Sequence, residues 1–172
     1  MKKVRQSDTL FVNDTTKPTL KQGQVLVKVH SFGINRADTL QRQGKYPAPK
    51  GESPILGLEV SGEIASLGVS ADNESSAWQI GDEVFALVAG GGYAEYVAVN
   101  SEHIMPKPKN VDMPSAAGIA EVFLTAYQSL FQVGGLKPGQ RVLIHAGASA
   151  VGLAAIQLAK ADGCHVSVTA SN

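Results

Sequence analysis

Residues 143–160 read LIHAGASAVGLAAIQLAK, a short apolar run that gives way to small residues and then to apolar positions with helical spacing. A chain that turns from a strand into a helix through residues this small has few folds open to it. With RVLIHA before the turn and CHVSVTA after the helical stretch, the order is β-α-β. Two strands joined by a helix pair in parallel and begin a doubly wound sheet.

Within the turn, Gly147, Ala148, Ser149, Ala150, Val151 and Gly152 follow a G-x-G-x-x-G frame with serine at its middle. Small residues let the backbone approach a pyrophosphate, whose charge is stabilised by free N–H groups and by the positive end of the following helix. The same spacing also suits a tight turn that binds nothing. An acid about twenty positions further on would favour NAD(H), because it binds the ribose 2′-hydroxyl and repels a 2′-phosphate. The second strand ends instead in Ala170, Ser171 and Asn172, which favours NADP(H) unless the deciding side chain lies further along.

Charge and composition remove several other classes. The 172 residues carry 15 basic and 15 acidic side chains, so no excess charge points to nucleic acid. No apolar run approaches the roughly 20 residues a membrane span needs, so a soluble, cytoplasmic protein without a membrane partner is expected. Cys164 is the single cysteine, which rules out an internal disulfide and leaves a zinc site at most one sulfur.

Upstream, residues 24–99 break into short β-rich segments with Val25, Val27 and Val29 on one face and glycines at the breaks, the pattern of a partly open antiparallel barrel. Residues 70–77, SADNESSA, read as a polar loop. Pro114 and Ser115 then open one apolar helix that Gly134 and Gly135 can stop. The four histidines form no metal-binding cluster in this reading, and His145 is expected to pack at the mouth of the turn.

Taken in order, GQVLVKVHSFGINRADTLQRQGKYP, PILGLEVSGEIASLG, GGGYAEYVAV, LTAYQSL and VLIHAGASAVGLAAIQLAK resemble the zinc-free NADPH quinone oxidoreductase branch of the medium-chain dehydrogenase/reductase superfamily. The resemblance implies an α/β fold with a β-rich part. A partly open GroES-like β-barrel domain over residues 1–113 would be followed by residues 114–172, a linking helix and the first β-α-β of a Rossmann domain. It implies NADP(H) as cofactor, a small quinone or enone as substrate, and no metal: zinc-dependent relatives carry cysteine and histidine where this chain has Asn35 and Leu58.

By family position, Asn35 and Tyr46 would donate hydrogen bonds to the substrate carbonyl, where negative charge appears as hydride arrives. Asn35 also has the form of a helix N-cap, with Asp38 reaching back to its N–H, and one residue can do both. Tyr46 could equally pack beside Pro47 and line the pocket. Thr125 would face the nicotinamide, or bond back to a carbonyl one helical turn earlier. Ser149, with Gly147, Ala148, Ala150, Val151 and Gly152, would lie against the cofactor, together with Ala170 and Ser171, or could serve only as a small turn residue. Ala150 stands where many relatives have glycine.

A complete fold of this kind has about six Rossmann strands and this chain has two, so its relatives should be roughly twice as long. A longer parent chain, a second copy in a homodimer, or a shortened form without catalysis would each answer for the missing strands.

Overall fold

The computed structural model describes residues 10–69 and 77–171; the polar loop at 70–76 and Asn172 lie outside the described residues. The chain divides into two compact units, Met1–Ala120 and Glu121–Asn172.

In the first unit five antiparallel strands form one sheet in the order β4-β1-β2-β3-β5. These are β1 (Gln24–Phe32), β2 (Glu59–Leu67), β3 (Glu83–Leu87), β4 (Tyr96–Asn100) and β5 (Ile104–Pro106). β1 carries the register: Val25 lies opposite Leu67 and Val99, and Val27 opposite Ile64 and Val97. β-branched side chains suit this pleated, one-sided surface. Val25, Val27, Val60, Ile64, Val84, Val97 and Val99 form the core.

Strict alternation fails at one point. Val25, Leu26 and Val27 are all buried, and the pairing of β1 with β2 shifts between Leu26 and Val27. A bulge of this kind turns consecutive side chains to the same side. β4 and β5 form the two edges, so the sheet is open. β5 was not expected from the sequence. It is three residues long and ends at Pro106, a residue that edge strands tolerate because a missing N–H costs nothing on the unpaired side.

The single apolar helix expected from residue 114 is broken in two. α2 (Met113–Ala116) is capped by Asp112, whose Oδ1 accepts the Ser115 N–H at 2.8 Å. The next N–H groups bond only three residues back, Gly118 to Ser115 and Ile119 to Ala116, both at 3.3 Å. Glycine holds a helix about 1 kcal/mol less well than alanine, and the chain gives way there. α3 (Ala120–Tyr127) resumes and widens into a π-turn over Gln128–Val133. Gly134 closes this turn through an N–H bond to Ser129, five residues back, at 2.9 Å. A Cβ on Gly134 would sit 2.7 Å from the Ser129 carbonyl oxygen, so a side chain would force the wider turn to unwind.

The rest of the second unit is β6 (Arg141–Ile144), α4 (Ala150–Ala161) and β7 (His165–Val168). β6 and β7 pair in parallel, Leu143 opposite Ser167 and Ile144 opposite Val168, as the β-α-β order requires. Val122, Ala126, Ile144, Ala154 and Ala155 form this unit's core. Among the described residues no helix is long and apolar enough to cross a membrane.

Ile64, 1% exposed at the centre of the first core, tests the sheet packing. Ile64→Ala should lower unfolding stability by about 2–5 kcal/mol in a urea titration, with the slope unchanged.

Candidate functional site

The small-residue turn satisfies half of its own amides. Gly147 N–H donates to the Thr169 carbonyl at 2.8 Å, Ser149 N–H to the Ala146 carbonyl at 2.9 Å, and Gly152 N–H to the Ser149 hydroxyl at 3.0 Å. Free N–H groups are expected at this turn, and these three are not among them. Those of Ala148, Ala150 and Val151 have no acceptor among the described residues, and all three residues are exposed. Ala150 and Val151 open α4, so their N–H groups are orphans of the first helical turn.

The two glycines act sterically. A Cβ on Gly147 would lie 2.7 Å from the Val168 Cβ, and one on Gly152 would lie 2.9 Å from the Gly147 backbone. Neither has positive φ; the left-handed residue of the turn is Ala146, at φ 54°. Ser149 is the α4 N-cap, and its hydroxyl also donates to the Ala146 carbonyl at 2.8 Å. With hydroxyl proton and N–H both committed, Ser149 shapes the turn and has no donor left for an anion.

Thr169, which the sequence reading passed over, ties the turn to the end of β7. Its Oγ1 lies 3.1 Å from His145 Nδ1 and accepts the Ala146 N–H at 3.4 Å. His145 is exposed rather than packed. Ala170 and Ser171 follow, exposed, with no acid beside them. An open pocket of about 220 Å³ lies against the turn, lined by His145, Ser149, Val151 and Gly152 on one side and by Ala126, Ser129 and Leu130 on the other. Thr125 precedes this second wall and is exposed. The bond back along the helix is made by Ser129, whose hydroxyl donates to the Thr125 carbonyl at 2.8 Å.

In the first unit Asn35 caps α1 (Arg36–Arg42), and Asp38 Oδ2 accepts the Asn35 N–H at 2.7 Å, the capping contact expected. The Asn35 amide also donates from Nδ2 to Glu59 Oε1 at 2.8 Å. Asp38 and Glu59 are each 2% exposed. Asp38 further accepts the Gly57 N–H at 3.2 Å and the Tyr93 hydroxyl at 3.1 Å. Burial, then the Asp38 charge and hydrogen bond, push the Tyr93 phenol well above its ordinary range. Tyr93 also stacks on Phe32, with ring centroids 4.3 Å apart. Tyr46 stands outside this cluster, 46% exposed after the left-handed Gly44. Leu58 is buried. Among the described residues no three His, Cys, Asp or Glu side chains gather as metal ligands.

Glu59, Tyr93, Ala146 and Thr169 were not singled out from sequence. The glycines at 90–92 were the available signal for Tyr93, since Gly92 packs directly on the Gly57 backbone and brings the two loops together.

Residues 21–109 match the family described as the alcohol dehydrogenase GroES-like domain. Human quinone oxidoreductase is 34% identical over 159 residues, which cover 92% of this chain and 47% of that protein. The CurK enoyl reductase crystal structure superposes with a TM-score of 0.85 at 32% identity, over 95% of this chain and 51% of that one. The quinone oxidoreductase of Thermus thermophilus, solved also in complex with NADPH, superposes with a TM-score of 0.76 at 35% identity, over 93% of this chain and 49% of that one. The chain thus spans about half the length of these relatives, which are oxidoreductases.

Two measurements probe this geometry. Ala146→Gly removes a Cβ from a left-handed position and should raise stability by about 1 kcal/mol, read from the denaturation midpoint. Tyr93 holds its proton more tightly when folded, so its contribution is complete below the unfolded phenol's pKa, near 10, and is lost as pH rises towards the folded value. The wild type should therefore lose stability more steeply than Tyr93→Phe in melts taken from about pH 9 to 11.

Proposed function

The chain belongs to the alcohol dehydrogenase GroES-like domain family, within the medium-chain dehydrogenase/reductase superfamily, and from that membership we propose an NADPH-dependent, zinc-independent reductase of quinones or conjugated carbonyls. The observation that carries the cofactor half is the set of amides without an acceptor at the exposed Ala148, Ala150 and Val151, at the positive end of α4. They suit a diphosphate, while Gly147 and Gly152 let the turn pack closely on Val168 and on itself. The exposed stretch from Thr169 to Ser171 carries no acid to repel a 2′-phosphate.

When bound, NADPH supplies a hydride. The chain's own part is to hold the cofactor by these amides, with the exposed Thr125 hydroxyl as a candidate contact to its nicotinamide end. Asn35 and Tyr46 would offer hydrogen bonds to the substrate oxygen as negative charge collects there, a contact that favours the transition state over the ground state. Zinc independence rests on the donor set. Asn35 carries a neutral amide with one hydrogen given to Glu59, in place of a thiolate, and Leu58 is an apolar core residue.

Leu143 and Val168, 56% and 47% exposed on β6 and β7, favour a second reading in which the domain associates, with a further copy or another chain, and does no catalysis. An NADPH titration followed by cofactor fluorescence separates the two. The first reading expects saturation; no saturable change in folded protein, with a mass above the monomer by light scattering, selects the second.

Ala150→Asp sharpens the test. A carboxylate in the first turn of α4 should leave the helix as stable or add about 0.5 kcal/mol, while repelling a diphosphate. NADPH affinity should fall on the order of tenfold or more with the melting temperature unchanged or raised.

A further inference from the structure

Glu59 is a buried carboxylate that the proposed chemistry does not use. Its Oε1 accepts from Asn35 Nδ2 at 2.8 Å, while Asp38 holds the Asn35 backbone N–H at 2.7 Å. A side-chain amide has a donor edge and an acceptor edge of nearly equal size, and its surroundings decide which faces where. A carboxylate oxygen can only accept, so Glu59 forces the NH₂ edge of Asn35 inward on one hydrogen and fixes where the second hydrogen points. The backbone of Asn35 is pinned separately, because it caps α1 through Asp38. Separate buried acids thus hold the Asn35 backbone N–H and its side-chain NH₂, and the capping box sets the other side of the Asn35 side chain towards the Asp38 backbone.

We propose that Glu59 is a positioning residue: it locks the Asn35 carboxamide in the orientation that presents an N–H to the substrate oxygen. This rests on the reading of Asn35 as a substrate contact. Gly33 fits the same assignment, since a Cβ there would collide with the Glu59 carboxylate; the chain leaves room beside Asn35 for this acid.

The test uses the whole protein and two variants, Glu59→Leu, which has no acceptor, and Glu59→Gln, which keeps one. By nuclear magnetic resonance, the Asn35 side-chain NH₂ of the wild type should show one proton shifted downfield and protected from exchange. The shift should be lost in Glu59→Leu and partly kept in Glu59→Gln. With NADPH and a simple quinone, kcat should fall on the order of tenfold to a hundredfold in Glu59→Leu with NADPH affinity unchanged, and Glu59→Gln should recover part of it. In an Asn35→Ala background the Glu59→Leu change should alter kcat less than about twofold, because its effect runs through Asn35.

An Asn35 NH₂ signal that Glu59→Leu does not move overturns the proposal, as does an equal loss of kcat with and without Asn35. If Glu59→Leu does not fold, Glu59→Gln alone decides: an unaltered amide signal together with unaltered kcat overturns it. A wild type that fails to bind NADPH or to reduce any quinone sinks the proposed function instead, and the orientation is then judged on the amide signal.

Discussion

The first unit is organised around one carboxylate. Asp38, almost wholly out of water, accepts hydrogen bonds from the Asn35 backbone, the Gly57 backbone and the Tyr93 hydroxyl. These come from the start of α1, the loop before β2 and the loop before β4. A charge taken from water costs several kcal/mol unless its lone pairs are filled, so the carboxylate makes all three segments take up one arrangement together. Glu59 extends the same logic by holding the Asn35 amide, and no buried side-chain polar atom among the described residues is left without a partner. The loops here are therefore fixed by polar contacts, while the valine-rich sheet behind them is fixed by packing.

Much of this was legible in the chain. Alternating valines gave the sheet, and the strand, turn, helix, strand order gave the parallel pair, because periodicity and small-residue punctuation are local properties. The Asp38 cap on Asn35 was visible for the same reason, at a separation of three residues. What was not legible was long-range. Nothing local marks Glu59 as the partner of Asn35, or Tyr93 as the partner of Asp38; those pairs exist only once β1 lies beside β2 and the Gly90–Tyr93 loop has closed over the Ile55–Gly57 loop. The break at Gly118 and the π-turn at Gln128–Val133 were hidden too, since an apolar run of that length reads as one helix.

The turn at residues 146–152 shows why a motif and its chemistry need separating. Its glycines are required for close packing against Val168 and against each other, and Ser149 for closing the helix end. The donors left for a ligand belong to alanines and a valine, residues that carry no signature of their own. The frame specifies a shape, and the shape leaves those amides, on exposed residues, without an acceptor among the described residues. Ala150, which departs from the glycine common in such turns, sits at the first helical position with its methyl group exposed, so the departure leaves the backbone path intact.

The register of β1 has a consequence for synthesis. Its Gln24 must meet Asn100, and β3, which flanks β2, must meet β5 as far as Pro106. Contacts of such wide sequence separation form slowly, because the intervening chain loses much freedom before any pairing rewards it. On the ribosome, β1 would emerge first and wait with its valines uncovered until Asn100, the end of its partner β4, has cleared the exit tunnel, a window in which such a segment is most exposed to aggregation and to chaperone capture.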